Sequence, residues 1–227
     1  MKEVLRQEKK YQINKIESSK LIAIMKRIMM EDKHNKDTGY MVRTLYFDTP
    51  YDKDYQEKDM GVFNRHKIRL RTYSPDSEIA KFEIKQKQGS YQRKRSLAIS
   101  REDAQAVVSG KYHVLLEYKE SLATELFYIL NTYCYRPRII VEYNRTAFVA
   151  NENDVRITID SDLKATESCY NLFSENLLLY PVAEKFNDIL EVKFNGFLPG
   201  YIKDITSISN KMELSISKYC MARVILR

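Results

Sequence analysis

Residues 67–73 read KIRLRTY and residues 82–87 read FEIKQK. Each alternates apolar and charged side chains with a period of two, the pattern of a β-strand. Ile68 and Leu70 share one face, with Lys67, Arg69 and Arg71 on the other; Phe82 and Ile84 oppose Glu83, Lys85 and Lys87. Like charges facing each other on neighbouring strands destabilise a sheet. A face with this much positive charge needs a reason.

The same alternation recurs along the chain. In LRQEKKYQI (5–13), Arg6, Glu8, Lys10 and Gln12 fall on one side. In YQRKRSLAIS (91–100), Lys94 lies opposite Arg93, Arg95, Leu97 and Ile99. In VRITID (155–160), Arg156, Thr158 and Asp160 oppose Val155, Ile157 and Ile159. In ILEVKF (189–194), Ile189, Glu191 and Lys193 oppose Leu190, Val192 and Phe194. The stretch IIVEYNRTAF (139–148) is less regular, because Arg145 falls in phase with Tyr143 and Val141. A bulge or a wider cavity would account for that. With YMVRTLYFD (40–48), the chain offers about eight strands.

Helical signals lie between them. Leu21, Ile22, Ile24, Met25, Ile28 and Met29 form an apolar stripe over 18–31, with Ser18 or Ser19 as its cap. Ser100 and Asp103 open a shorter helix with capping-box spacing. Residues 121–132 form a third helix and 214–226 a fourth. Many strands with few crossover helices argue for an antiparallel sheet in an α+β fold. Eight strands are also enough to close a barrel, which removes the edges. The expectation is a single domain over 1–227. It is a closed antiparallel β-barrel of about eight strands with helices packed outside and the charged faces lining a tunnel.

An alternating strand with one charged face is ordinarily the solvated side of a sheet. A solvated face, however, mixes signs. Here Arg69, Arg71, Lys85 and Lys94 recur on successive strands, with Glu8, Glu83, Asp160 and Glu191 as the counter-charges. Turned inward, such a face needs a polyanion, because uncompensated buried charge is very costly.

Composition narrows the classes. The 227 residues are 44% hydrophobic and 30% charged, values of a folded chain rather than a disordered one. Lys and Arg exceed Asp and Glu by 38 to 31, a net charge of +7 that suits a nucleic acid, a membrane surface or a small polyanion. No apolar run approaches the roughly 18 residues of a membrane span, and the N-terminus lacks a signal-like apolar stretch. A cytoplasmic location is expected. Cys134, Cys169 and Cys220 are scattered and odd in number, which suggests neither a zinc site nor a disulfide framework. His34, His66 and His113 are isolated, and no Gly-rich phosphate loop occurs. Phosphate would have to be held by side chains.

The quoted segments, taken together, resemble the VTC domain, the polyphosphate-polymerase catalytic domain among the CYTH-like triphosphate tunnel metalloenzymes. The resemblance is carried by EKKY (8–11), TLYFDTP (44–50), EKDMGVFNRHKIRLRTY (57–73), FEIKQK (82–87), EYNRTAF (142–148), VRITIDSDL (155–163), LEVKF (190–194) and SISKY (215–219), in family order across nearly the whole chain. It implies Lys10, Arg69, Arg71, Lys85 and Lys94 as catalytic cations, and Arg145, Arg156, Lys193 and Lys218 as holders of substrate phosphates. It implies Glu191 as the ligand of a catalytic Mg²⁺ or Mn²⁺, with Glu8 and Glu83 as acidic support, more by orienting cations than by binding metal. Two positions depart from the pattern. Arg6 stands where the superfamily's N-terminal ExExK signature begins, and Ser215 stands where some relatives carry a second Lys before Lys218.

The implied activity is transfer of the ATP γ-phosphate to phosphate or polyphosphate. A triphosphate or polyphosphate hydrolase of the same superfamily and a non-catalytic polyphosphate sensor are the alternatives. Nucleic-acid binding is disfavoured, because tyrosines run in phase with core residues, as Tyr11 does with Ile13. The partners implied are ATP and inorganic phosphate or polyphosphate, with no nucleic acid; a membrane partner and the oligomeric state stay open.

Overall fold

The structure, a computed structural model, describes residues 7–89, 91–182, 187–207 and 213–225. Arg6 and the expected outer ends of the first strand and last helix lie outside the described residues. Eight strands answer to the eight expected: β1 (Gln7–Asn14), β3 (Tyr40–Asp48), β4 (Asn64–Thr72), β5 (Ile79–Gln88), β6 (Tyr91–Ser100), β7 (Arg136–Ala150), β8 (Val155–Thr166) and β10 (Asn187–Phe194). Two-residue strands β2 (Met30–Glu31) and β9 (Tyr180–Pro181) are additions. The helices are α1 (Lys15–Ile28), α2 (Lys53–Asp59), α3 (Arg101–Val108), α4 (Ser121–Thr132), α5 (Gly200–Ser207) and α6 (Lys218–Ile225). No described helix is long and apolar enough to cross a membrane.

The α+β class with a large antiparallel sheet is as expected; closure is not. The strand order is β1-β10-β8-β7-β3-β4-β5-β6, with β2 on β7 and β9 on β8, so β1 and β6 are ends rather than partners. The sheet is open. Strand number permits closure without requiring it, and edges can be protected by other means. The Leu214 N–H donates to the Lys10 carbonyl at 2.8 Å, covering part of β1. On β6 the run Arg93, Lys94 and Arg95 supplies the charge that discourages edge pairing.

The chain divides into two compact units: residues 1–41, 143–164 and 181–217 form the first, and 42–142, 165–180 and 218–227 the second. In the first, the ladder pairs Tyr11 with Leu190 and Val192 with Ile157. This parity gathers Ile13, Leu190, Val192, Ile157, Ile159 and Phe148 into one core with Leu21 and Met25 of α1 and Ile202 of α5. The strand β1 runs straight into α1. Asn14 accepts from the Glu17 N–H at 2.9 Å while the Glu17 carboxylate accepts from the Asn14 N–H at 2.8 Å, a reciprocal capping box. The cap is therefore Asn14, not Ser18 or Ser19. Ser18 is buried and donates to Asp188 Oδ2 at 2.6 Å, tying α1 to β10. Asn14→Ala is expected to lower stability by about 1 kcal/mol, read as a shifted urea midpoint with an unchanged m-value.

In the second unit the apolar parity of β3–β6 (Leu45, Phe47, Ile68, Leu70, Phe82, Ile84, Leu97 and Ile99) is buried with Ala104 and Val107 of α3 and Leu122, Leu126 and Leu130 of α4. Arg95 lies on this helix side and pairs with Glu125 of α4, its Nη2 2.6 Å from Oε1. The last helix begins at Lys218 rather than 214. It is pinned by Tyr219, whose hydroxyl donates to Asp48 Oδ2 at 2.5 Å, and by Arg223, which donates to Asp52 Oδ2 at 2.7 Å and to Glu167. The same Asp48 carboxylate accepts from the N–H groups of Asp54 and Tyr55 at 2.9 and 3.0 Å, at the start of α2.

Candidate functional site

Each unit presents one charged sheet face. In the first, the register sets Glu8 opposite Lys193 and Lys10 opposite Glu191, and on the next strand sets Glu191 opposite Thr158 and Lys193 opposite Arg156. Opposed residues share a face, so the parity that buries Leu190 and Val192 collects these groups on the other side. The Lys10 ammonium lies 3.1 Å from Glu8 and 3.5 Å from Glu191, and donates to the Ile216 carbonyl at 3.2 Å. The Lys193 ammonium lies 3.0 Å from Glu191 and 3.9 Å from Glu8. Two acids thus share two lysines.

Arg145 completes this face. It donates from Nε and Nη2 to both Asp160 oxygens at 2.6 and 2.7 Å, and its Nη2 lies 3.8 Å from Glu191. Its guanidinium sits 5.2 Å from the centre of the Tyr143 ring, a cation–π contact. The in-phase Tyr143 and Arg145 are therefore neighbours on one uninterrupted strand, β7. Burial disfavours the Arg145 charge, but the attraction of Asp160 outweighs it and holds the group firmly protonated. Desolvation pulls the Lys193 ammonium below its ordinary value, against the attraction of Glu191 and Glu8. Arg156 looks elsewhere. It lies 2.8 Å from Asp32 and donates to the Tyr40 hydroxyl at 3.1 Å.

On the second unit's face the register produces rows. Tyr46 lies opposite Arg69, Arg69 opposite Glu83 and Glu83 opposite Ser96. Beside that row, Lys67 lies opposite Lys85 and Lys85 opposite Lys94. Glu83 is fully buried. It accepts from Arg69 Nε at 2.8 Å and from Lys94 Nζ at 2.9 Å, with Arg71 Nη1 3.9 Å away. Burial alone would raise the Glu83 carboxyl, but Arg69, Arg71 and Lys94 hold it far below the usual carboxylate range. Its ion-pair partners are Arg69, Arg71 and Lys94, which suits an orienting carboxylate. Arg71 also donates to Thr44 Oγ1 at 3.2 Å. Lys218 is buried as the first residue of α6.

The expected site residues thus fall into two groups. Lys10, Arg145, Lys193, Glu8 and Glu191 stand together in the first unit, with Arg156 drawn toward Asp32. Arg69, Arg71, Lys94 and Glu83 stand together in the second, with Lys85 in register beside them. Asp160, expected only as one of the counter-charges, is the two-point partner of Arg145, and nothing in the local sequence marks Asp32 as the partner of Arg156. Tyr219 and Asp48 carried no signal of their own.

The buried Glu8 and Glu191 carboxylates, focused on the same lysines, are hard oxygen donors. They fit Mg²⁺ or Mn²⁺ when phosphate oxygens and water complete the coordination shell. Among the described residues no three His, Cys, Asp or Glu side chains stand together as an all-protein cage.

The family model of the VTC domain matches residues 5–227. No curated protein matches the sequence. Solved structures share the fold at low identity. A candidate adenylate cyclase from Bacillus halodurans aligns at 12% identity with a TM-score of 0.56, over 96% of each chain. A candidate adenylyl cyclase from Hippeastrum, with a dominant triphosphatase activity, aligns at 10% identity with a TM-score of 0.56, over 98% of this chain and 96% of its own.

Proposed function

We propose that this chain, which belongs to the VTC domain family, transfers the γ-phosphate of ATP to phosphate or polyphosphate and releases ADP. The observation that carries this reading is the second unit's face, where Arg69, Arg71 and Lys94 converge on the buried Glu83 beside a row of lysines. The buried Glu83 fixes the positions of Arg69, Arg71 and Lys94, and a face rich in Lys and Arg suits a polyanion. The family match over 5–227 supports reading both units as one functional domain.

The chemistry asks for positioning and charge neutralisation more than for covalent participation. A terminal oxygen of the acceptor phosphate attacks the γ-phosphorus. The bond from that phosphorus to the β–γ bridging oxygen breaks, and its electron pair leaves with ADP. The acceptor is already anionic, so no general base is required. Arg69, Arg71, Lys85 and Lys94 offset the charge on the reacting phosphates, and the family resemblance assigns Lys10 the same kind of role. Arg145, Arg156, Lys193 and Lys218 hold the nucleotide and the chain. The Asp160 clamp fixes Arg145 before substrate arrives, so little ordering is left to complete. Glu191, with Glu8 beside it, would hold Mg²⁺ or Mn²⁺, which supplies further neutralisation of phosphate oxygens when bound. An enzyme drawing on ATP in this way belongs in the cytoplasm.

The second reading is hydrolysis of a triphosphate, favoured by the dominant triphosphatase activity of the Hippeastrum neighbour. It uses the same cations with water as acceptor. ATP labelled at the α or the γ position separates these reactions from nucleotide cyclisation. Transfer puts γ-label into a polymer and leaves α-label in ADP. Hydrolysis puts γ-label into orthophosphate. Cyclisation would put α-label into a cyclic nucleotide with release of pyrophosphate, and would overturn both readings.

A further inference from the structure

We propose that Tyr219 is a positioning residue, which sets Lys218 against the charged face of the second unit so that this lysine can hold a phosphate chain. The inference rests on the proposed reading of Lys218 as a phosphate holder. Its basis is where the start of α6 is anchored. The Tyr219 ring is stacked on the Tyr46 ring with centroids 5.1 Å apart, and Tyr46 lies opposite Arg69 in the ladder. Opposed residues share a face, so the first turn of α6 is laid against the face that carries Arg69. The Lys67 ammonium of the same face lies 5.8 Å from the centre of the Tyr219 ring. Lys218, the first residue of α6, directly precedes this tyrosine and is buried with it.

Stacking alone would let the ring slide. The hydroxyl removes that freedom by donating to Asp48 Oδ2 at 2.5 Å, and Asp48 is itself fully buried. Asp48 is held in turn. Its Oδ1 accepts from the N–H groups of Thr49 and Asp54 at 2.7 and 2.9 Å, and its Oδ2 accepts from the Tyr55 N–H at 3.0 Å. A hydrogen bond to a carboxylate is among the stronger ones, and this acceptor is fixed by backbone at the end of β3. Burial, reinforced by Asp48, pushes the Tyr219 hydroxyl well above its ordinary value, so it stays a donor. One turn further along α6, on the same side of the helix, Arg223 donates to Asp52 Oδ2 at 2.7 Å. Arg223 thus secures the body of the helix, and Tyr219 secures the turn that carries Lys218. A lysine loses much rotamer freedom when it binds, and a fixed backbone beneath it leaves only the side chain to be ordered.

The test measures calorimetric binding of sodium tripolyphosphate to the full chain as a double-mutant cycle of parent, Tyr219→Phe, Lys218→Gln and the double variant. Tyr219→Phe keeps the ring on Tyr46 and leaves Asp48 its three N–H donors, so it should fold, with a lower melting temperature. Lys218→Gln is expected to weaken binding about tenfold and Tyr219→Phe about fivefold. The double variant should bind like Lys218→Gln alone, because the hydroxyl acts through the lysine. Single losses that multiply in the double variant would overturn the assignment. A lower melting temperature with the parent's affinity, or loss of the folded state, would make Tyr219 a structural residue and overturn it as well. These outcomes leave the proposed reaction standing. Lys218→Gln binding as tightly as the parent would remove Lys218 from the site and this inference with it. No binding by the parent protein would overturn both this inference and the reading beneath it.

Discussion

Glu83→Gln is expected to cost about 3–5 kcal/mol of folding stability, the penalty of leaving buried charge without its partner. Glu83 is fully buried and serves Arg69, Lys94 and Arg71 together. Gln keeps the shape but removes the negative charge that Arg69, Arg71 and Lys94 share. Urea unfolding at neutral pH measures the loss, and added tripolyphosphate should recover part of it by supplying the missing negative charge. The parent should show the matching pH dependence. Because the folded carboxyl lies below its ordinary value of 4.5, its contribution is full above that value and is lost as pH falls through the depressed folded value. Glu83→Gln should lack that acid-limb component. A stability loss below about 1 kcal/mol, the scale of an exposed pair, would contradict this picture of the face.

Arg69→Ala should lower kcat/KM for ATP by about a hundredfold to a thousandfold, the usual scale for removing a preorganised donor from developing charge. The effect should fall mainly on kcat. Glu83 keeps Lys94 and Arg71, so the variant should fold, which a melting curve verifies. Arg69→Lys should recover only part of the rate, because an ammonium restores the charge but not the planar fork of donors. A variant that folds and turns over as fast as the parent would remove Arg69 from the site.

Much of this was legible in alternation alone. A period of two needs only a sheet with one apolar side, and β3 lies over Tyr40–Asp48 as the pattern indicated. The same parity placed Glu8, Lys10, Glu191 and Lys193 on a common face, and the register made them neighbours. What parity does not encode is closure, because the strands at the ends of a sheet look like those within it. The start of α1 was hidden because Asn14 ends a strand and caps a helix with no loop between. The helix α2, KDYQEKD, has no apolar stripe to announce it; its buried residue is Asp54. The pairing of Arg156 with Asp32 joins a strand to a loop residue distant in sequence, which no local pattern records.

The central claim is that this chain carries out phosphoryl transfer to a growing phosphate chain. Its most direct test is to incubate the protein with ATP and Mg²⁺ or Mn²⁺ and resolve ADP, orthophosphate and polymer, beside Arg69→Ala and Glu191→Ala. The account predicts ADP together with long polymer from the parent, and loss of both from each variant. Orthophosphate without polymer would contradict the polymerase reading in favour of hydrolysis. No turnover, with tight polyphosphate binding that survives loss of Glu191, would make the protein a sensor rather than an enzyme.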